Sequence, residues 1–284
     1  MKSATHQAKR PPAWLVLITT FIAVLMGLWA ATASAADTVP KDARLLSIGG
    51  SVTEVIYALD QGHRLVARDT TSIYPEAANA LPDVGYIRAL SAEGVLSVSP
   101  ELIISEEGAG PPETIAALQV ASIPFVTIPD SYDAQGVIAK VLAVGRALGV
   151  ESKAQDLAGQ ITADFAKAEA RIARVTKPKR VLFILSTQGG RILASGTDTA
   201  ADGIIRMAGG VNAITAFEGY KPLTDEAVTA AAPDVILMMD RSGDHSLANA
   251  ELTSLPALAP TPAARDGAIV RMNGLYLLGF GPRT

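Results

Sequence analysis

The stretch LSAEGVLSVSPELII at residues 90–104 sets the pattern of the whole chain. It is typical of a short capped helix, followed by Pro100 with an acidic neighbour and then by a buried strand. The pattern returns as LTDEAVTAAAPDVIL at residues 223–237, and in both copies Glu follows Leu by three positions and precedes Pro by seven. Two units with identical spacing predict two matched lobes, with Glu93 and Glu226 at equivalent places. The alternative is that both are ordinary first-turn glutamates, favoured there by capping and by the helix dipole.

Strands and helices alternate on both sides of these units. We predict strands at residues 44–48, 64–68, 101–105, 124–128, 180–185, 192–194, 235–239 and 268–272. The predicted helices between them cover residues 51–59, 113–120 and 200–207, with a short one from Ala92, and Ser51 or Thr53 is a candidate N-cap. This alternation predicts parallel sheets with helices on their faces.

The middle of the chain departs from this alternation. Residues 134–148 and 152–175 are two helical stretches broken around Gly149, and the second is too long for an ordinary crossover. The predicted fold class is therefore α/β, with two Rossmann-like lobes of parallel sheet joined by one long backbone helix and a ligand cleft between the lobes. The predicted domains are an N-terminal lobe at 36–150, the connecting helix at 151–176 and a C-terminal lobe at 177–284.

The N-terminus has the features of a secretory signal peptide. Lys2, Lys9 and Arg10 precede an apolar run over residues 14–31, and Ala-Ser-Ala follows at 33–35. We expect cleavage after Ala35, which implies export to the periplasm. The alternative is a retained membrane anchor, since the run is nearly long enough to span a bilayer.

Charge and cysteine content exclude several classes of function. Cleavage leaves 21 basic against 28 acidic residues, a formal charge of −7, which does not suit a nucleic-acid binder. The chain contains no cysteine, which excludes disulfides, thiolate metal sites, thiol catalysis and a lipid-modified N-terminal cysteine.

Tyr86 and Arg88 are the residues most suggestive of ligand chemistry. If residues 83–90 are extended, side chains two positions apart point to the same side. A phenol with a pKa near 10 is a poor metal ligand, but ferric iron and a neighbouring guanidinium both stabilise the phenolate. Haem proteins do use a tyrosine oxygen as an axial ligand. The alternative is a loop tyrosine that packs its ring beside a solvated arginine.

Several stretches together resemble the periplasmic haem-binding proteins of bacterial haem ABC importers. They are residues 49–54 (GGSVTE), 69–75 (DTTSIYP), 81–93, 109–112 (AGPP) and 278–283 (LGFGPR). The wider family includes vitamin B12- and siderophore-binding proteins, and its two lobes are joined by a rigid helical backbone. The resemblance covers nearly the whole mature chain.

The resemblance implies a role for each matching residue. Tyr86 falls on the tyrosine that ligates haem iron, and Arg88 on the residue that hydrogen-bonds its oxygen. Glu93 and Glu226 fall on the glutamates that dock onto arginines of the membrane permease. Arg241 is in the region that supplies a second-lobe arginine to the haem, although a solvated arginine is an equal alternative.

Departures from the family pattern also lead to expectations. Some members carry a second-lobe histidine and hold a second haem, but residues 212–220 contain none, so we expect one haem b per protein. His63 is expected in a solvated turn, His245 is a weak candidate for ligand contact, and Tyr74 either packs or lines the cleft. Relatives also continue past the Gly-Pro-Arg at 281–283 with a closing helix, so the C-terminal lobe is expected to lack its last helix.

The expected function is a carrier that captures ferric haem and delivers it to an ABC permease and its inner-membrane ATPase. An outer-membrane haem receptor system would be an indirect partner, and the carrier is expected to be a monomer. The alternative is a vitamin B12 or ferric-siderophore carrier of the same fold. An exported porphyrin or metal enzyme is the rival from another class, because fold alone does not fix function.

Overall fold

The computed structural model describes residues 40–240 and 247–284, which belong to one compact unit. The predicted signal peptide, Arg241 and His245 lie outside the described residues, and the domain boundaries stay predictions. The first half contains β1 (Leu45–Ile48), α1 (Gly50–Ala58), β2 (Leu65–Arg68), α2 (Ala92–Ser97), β3 (Leu102–Glu106), α3 (Pro112–Gln119) and β4 (Phe125–Ile128). The middle contains α4 (Ala134–Leu148) and α5 (Glu151–Ile172). The second half contains β5 (Arg180–Ser186), β6 (Leu193–Ser195), α6 (Ala200–Met207), β7 (Val211–Asn212), β8 (Tyr220–Pro222), α7 (Asp225–Ala231), β9 (Val235–Asp240), α8 (Asn249–Ser254), α9 (Pro262–Arg265), β10 (Ile269–Asn273) and α10 (Gly274–Leu278).

The first sheet, in the order β2-β1-β3-β4, is parallel throughout and forms the N-terminal lobe. Its central strands are buried on both faces, as parallel strands under helices must be. Leu45 packs into one core and Leu46 into the core on the opposite face, because successive strand residues point in opposite directions. The predicted parallel sheet is confirmed for this lobe.

The second sheet, in the order β10-β9-β5-β6-β8, forms the C-terminal lobe and is mixed. Strands β10, β9 and β5 are parallel, and β7 pairs parallel with the start of β5. However, β6 runs antiparallel to β5 and β8 antiparallel to β6. The prediction of a parallel sheet is therefore wrong at this edge, where a hairpin replaces a helical crossover.

Helices α4 and α5 form an antiparallel pair against the N-terminal lobe. The pair approaches closely at Gly145, where a β carbon would collide with Ala154. Gly149 ends α4 in the left-handed conformation with φ of 68°. Ala158, Ile161 and Phe165 of α5 join the N-terminal core, and Ile204 and Met207 of α6 pack on the same core from the C-terminal lobe. The two lobes are therefore held together by this helix packing as well as by the covalent link through α5.

The two lobes share a local hydrogen bond, made in each repeated unit by the acid that follows proline. The Glu101 carboxylate accepts a 2.8 Å bond from the backbone N–H of Arg44, just before β1. The Asp234 carboxylate accepts a 2.8 Å bond from the backbone N–H of Arg180, at the start of β5. In each lobe the acid after proline thus links the strand of the repeated unit to the adjacent strand, β3 to β1 and β9 to β5.

The start of α1 differs from the prediction. Gly49, with φ of 107°, is the N-cap, and no side chain caps the helix. Ser51 and Thr53 lie inside α1 and bond elsewhere: the Thr53 hydroxyl lies 2.6 Å from that of Ser72, and the Ser51 hydroxyl donates to Glu106 over 2.9 Å. Both hydroxyls therefore bond to polar side chains of other segments instead of capping α1.

Among the described residues, none of the helices is both apolar and long enough to cross a bilayer.

Candidate functional site

A cleft of about 910 Å³ lies at the carboxyl ends of strands from both sheets, where open α/β sheets bind their ligands. Glu106 ends β3, Asp240 ends β9 and Asn273 ends β10, and all three line it. The remaining lining residues are Gly50, Ser51, Thr70, Thr71, Ile73, Tyr86, Ile87, Arg88, Glu107, Gly108, Asp130, Tyr132, Met239, Gly274, Leu275, Leu278 and Gly279. The described part of the chain thus brings Tyr86 and Arg88 together in one cleft.

Tyr86 and Arg88 lie in a tight turn. The backbone N–H of Ala89 donates a 2.8 Å bond to the carbonyl of Tyr86, which places Ile87 and Arg88 at the corner. The prediction of an extended segment is therefore wrong, although both side chains still face the cleft. Tyr86 is 48% exposed, and its role as a ligand stays a prediction.

The turn is fixed from both sides by backbone hydrogen bonds. The Thr70 N–H donates to the carbonyl of Gly85, and the Gly110 N–H donates to that of Ile87, each over 2.9 Å. Asp83, just before the turn, accepts bonds from the Thr70 hydroxyl at 3.0 Å and the Arg68 guanidinium at 2.9 Å. Tyr86 is exposed but its backbone is held, which is the arrangement that preorganised binding requires.

Two further tyrosines lie near Arg88, and the sequence reasoning missed both. Burial raises the pKa of Tyr132, with a further rise from Asp130, while Arg88 acts in the opposite direction. Burial also raises the pKa of Tyr220, which a hydrogen bond with Thr199 and the charge of Arg88 both oppose. Tyr132 lines the cleft and belongs to the N-terminal lobe, whereas Tyr220 is in β8 of the C-terminal lobe, so the charge of Arg88 acts on a tyrosine of each lobe.

A buried lysine lies below the cleft. The Lys140 ammonium donates to Asp130 over 2.7 Å, to Ser51 over 2.8 Å and to Glu106 over 3.4 Å, and its side chain is fully buried. Burial raises the pKa of Glu106 to about 7; Lys140 opposes this rise and Asp130 adds to it. One wall of the cleft therefore carries a carboxyl that changes charge near neutral pH.

The signal for this cluster lies in α4. Lys140 follows Val137 by three residues and precedes Val144 by four, so it falls on the apolar face of the helix. A lysine at such a position needs a buried partner. The sequence does not name that partner, because Glu106 and Ser51 are far away along the chain.

The predicted docking glutamates are exposed at matching places. Glu93 and Glu226 are each the second residue of their helix, α2 and α7. Ser91 and Thr224 cap these helices by accepting the N–H of Gly94 and Ala227. A hydrogen bond to its own backbone N–H lowers the pKa of Glu226. Both side chains are available to a partner, and their docking role stays a prediction.

Two other candidates among the described residues, Tyr74 and His63, do not line the cleft. Tyr74 is absent from its lining and instead lies beneath Arg283, 3.3 Å from ring centre to guanidinium carbon. His63 is exposed in a short turn of 3₁₀ helix, as expected. Within residues 40–240 and 247–284, no group of three or more His, Asp or Glu residues could hold a metal ion directly.

A second groove, of about 480 Å³, lies on the C-terminal lobe. Val181, Leu237 and Met272 are typical of its lining, which is mostly aliphatic. It lacks the convergent polar groups that orient a ligand, so the cleft is the better candidate site.

Comparison with known proteins agrees with this architecture. The family model described as periplasmic binding protein matches residues 45–274. The chain belongs to the periplasmic binding protein family. Among solved members, the periplasmic heme-binding protein BhuT in complex with two hemes is 42% identical, with a TM-score of 0.81 over 85% of this chain and 93% of that one. The apo periplasmic heme-binding protein RhuT from Roseiflexus sp. RS-1 is 39% identical, with the same TM-score and coverage.

Curated relatives in the family are more distant. An uncharacterized ABC transporter substrate-binding lipoprotein, YvrC of Bacillus subtilis, is 27% identical over 72% of this chain, which spans 66% of that relative. A vitamin B12-binding protein of Yersinia pestis is 27% identical over 71% of each chain. All four of these proteins are named as binding proteins, in agreement with the family.

Proposed function

We propose that this periplasmic binding protein captures ferric haem in the cleft, with the Tyr86 phenolate as axial ligand to the iron. The observation that carries the proposal is the exposed Tyr86 on a turn fixed from both sides, with Arg88 beside it. An anionic oxygen suits ferric iron, and the guanidinium favours the phenolate over the phenol. The haem-binding BhuT and RhuT, at 42% and 39% identity, support the same ligand.

The cleft also suits the apolar faces of a porphyrin. Ile73 and Ile87 of the N-terminal lobe oppose Leu275 and Leu278 of the C-terminal lobe along its lining. A cleft of about 910 Å³ lies within the range of ligand sites, roughly 300–1,000 Å³. Aliphatic side chains on both walls would exclude water from the ring, while Tyr86 supplies the specific bond.

The proposed role is that of a carrier. The protein would bind one haem b, unchanged, and deliver it to an ABC permease and its ATPase in the inner membrane. Glu93 and Glu226, one on each lobe, would dock onto the permease. Helix α5 and its packing predict small lobe movements on binding.

A titration of the mature protein with hemin, followed by visible absorption, tests the ligand. We expect saturation at one equivalent with a high-spin spectrum of the tyrosinate type. Saturation at two equivalents, the loading named for BhuT, would correct the stoichiometry but keep the ligand. No saturation by hemin, with binding of cyanocobalamin or a ferric siderophore instead, would overturn the haem proposal. Conversion of haem to free iron or another porphyrin would support an enzyme.

Reversing both docking charges should uncouple transport from haem binding. For Glu93→Lys/Glu226→Lys we expect affinity for the permease to fall by at least about 100-fold, because like charges would face each other in the complex. Haem affinity should stay unchanged, since both residues are exposed and outside the cleft. The measurement is binding to the permease in nanodiscs and stimulation of its ATPase.

The matched control for the docking variant is Glu113→Lys. Glu113 is also an exposed glutamate in the first turn of a helix, α3, but belongs to neither repeated unit. It should leave permease binding unchanged. An equal loss in the control, or no loss in the double variant, would contradict the assignment of Glu93 and Glu226.

A further inference from the structure

The residues that follow α10 insert into the N-terminal lobe. Phe280 follows α10, yet its side chain is fully buried in the N-terminal core and its ring lies 5.3 Å from that of Tyr132. The backbone of Phe280 has φ of 48°, in the left-handed region that residues with a β carbon rarely adopt. Such a conformation persists only where the surroundings impose it, so this insertion is firmly held.

Arg283 makes the second attachment. Its Nε and Nη2 donate to the two carboxylate oxygens of Glu54 on α1, each over 2.8 Å. Glu54 is only 5% exposed, so this paired fork is largely desolvated. The guanidinium lies between two rings, 3.3 Å from the centre of Tyr74 and 5.3 Å from that of Tyr276. One arginine thus joins side chains of both lobes.

The same segment contacts the cleft wall. The Gly279 carbonyl accepts a 3.3 Å bond from Lys140, the lysine that also binds Asp130 and Ser51 of the lining. Gly279 itself lines the cleft, and so does Tyr132, the ring that packs on Phe280. A change in how this segment is attached would therefore move residues in both walls of the cleft.

We propose that residues 279–283 form an interlobe latch, in which Arg283 is a positioning residue whose bond to Glu54 sets the separation of the cleft walls. The latch acts on the C-terminal lobe through α10 and on the N-terminal lobe through Glu54, Tyr74 and Lys140. A ligand held by both walls would leave faster once the latch is broken; this second part rests on the proposed haem function.

The test measures the distance between lobes in the ligand-free protein. The chain has no cysteine, so Ser97→Cys on α2 and Ala230→Cys on α7, both exposed, allow specific spin labelling. Pulsed electron–electron double resonance should show one narrow distribution of label-to-label distances in the labelled parent. Arg283→Ala should widen that distribution by about twofold, because an interlobe constraint is lost.

Further variants separate loss of the latch from misfolding. Glu54→Gln/Arg283→Ala removes the arginine without leaving a buried carboxylate unpaired, and it should widen the distribution as much as Arg283→Ala does. Arg283→Lys keeps the charge without the fork and should restore the width in part. Lys153→Ala, which breaks an exposed 3.0 Å ion pair with Asp60, is the control and should change nothing.

A distribution unchanged in folded Arg283→Ala, with the parent's circular dichroism, would overturn the latch. So would equal widening in Lys153→Ala. Transfer of haem to an excess of a haem-scavenging protein should be about tenfold faster from Arg283→Ala, since affinity changes fall mainly on the off-rate. If the parent binds no haem, the haem proposal fails while the distance measurement still decides on the latch.

Discussion

Tyr86→Phe should lower the affinity for ferric haem by about 1,000-fold, a loss of roughly 4 kcal/mol in binding free energy. The variant keeps the aromatic ring and removes only the oxygen that would bind iron. Because Tyr86 is 48% exposed on a turn held by backbone bonds, the change should not disturb the fold. The measurement is a hemin titration by visible absorption, in which the tyrosinate charge-transfer band should also disappear.

Tyr132→Phe is the matched control. Tyr132 lines the same cleft and lies near the same arginine, but its ring packs on Phe280 rather than standing exposed. Its loss of a hydroxyl should change haem affinity by no more than about tenfold, the size of one lost hydrogen bond. If Tyr86→Phe keeps the parent spectrum and affinity, the axial ligand is another residue, and Tyr220 is the next to test. If both variants lose binding equally, the cleft depends on its polar surface and not on one ligand.

Much of the fold could be predicted because its elements are long or strongly patterned. The predicted bounds of α4 and α6 match the structure, β1 and β9 differ by one residue at one end, and β3 is shifted by one residue at both ends. The repeated unit also appears in the structure as a capped helix followed by a strand in each lobe, and the acids after proline, Glu101 and Asp234, make matching bonds. Local periodicity suffices where helices and strands bury a regular face.

The failures have physical causes. Strands β6 and β8 have only three residues each, too few to show a period, so the antiparallel edge was missed. The turn at Tyr86 differs from the predicted extended segment because hydrogen bonds from Thr70 and Gly110 set its conformation, and local sequence does not reveal them. The Lys140 cluster joins residues from four separate segments, and only packing brings them together.

Lys140→Met should destabilise the protein by about 3–5 kcal/mol at pH 8, the usual cost of leaving one side of a buried ion pair uncompensated. Methionine keeps the length of the side chain and its apolar contacts in α4. It leaves Glu106 and Asp130, with side chains 14% and 16% exposed, facing each other without a cation. Urea unfolding followed by circular dichroism measures the change. Lys153→Met, which removes a lysine from an exposed ion pair, should cost at most about 1 kcal/mol.

The loss of unfolding free energy in Lys140→Met should be smaller at pH 5 than at pH 8, and the direction of this pH dependence follows from the titration of Glu106. Burial holds the pKa of Glu106 near 7 in the folded protein, whereas an unfolded glutamate titrates near 4.3. Between these values the folded state keeps a proton that the unfolded state has released, so stability falls as pH rises. Removing Lys140 removes the charge that lowers the pKa of Glu106. The pH range over which stability falls therefore extends to higher pH in the variant. The variant should therefore differ most from the parent above pH 7.

A second change separates charge from packing in this cluster. Glu106→Gln in the Lys140→Met background removes the titrating carboxyl, so it should recover part of the stability at pH 8 and little at pH 5. Equal destabilisation of Lys140→Met at both pH values would show that lost packing, not an uncompensated charge, causes the effect. Glu106 also lines the cleft, so its protonation would lower the electrostatic repulsion of a negatively charged ligand. The bonds of Lys140 would thus link the stability of the fold to the charge of the cleft wall.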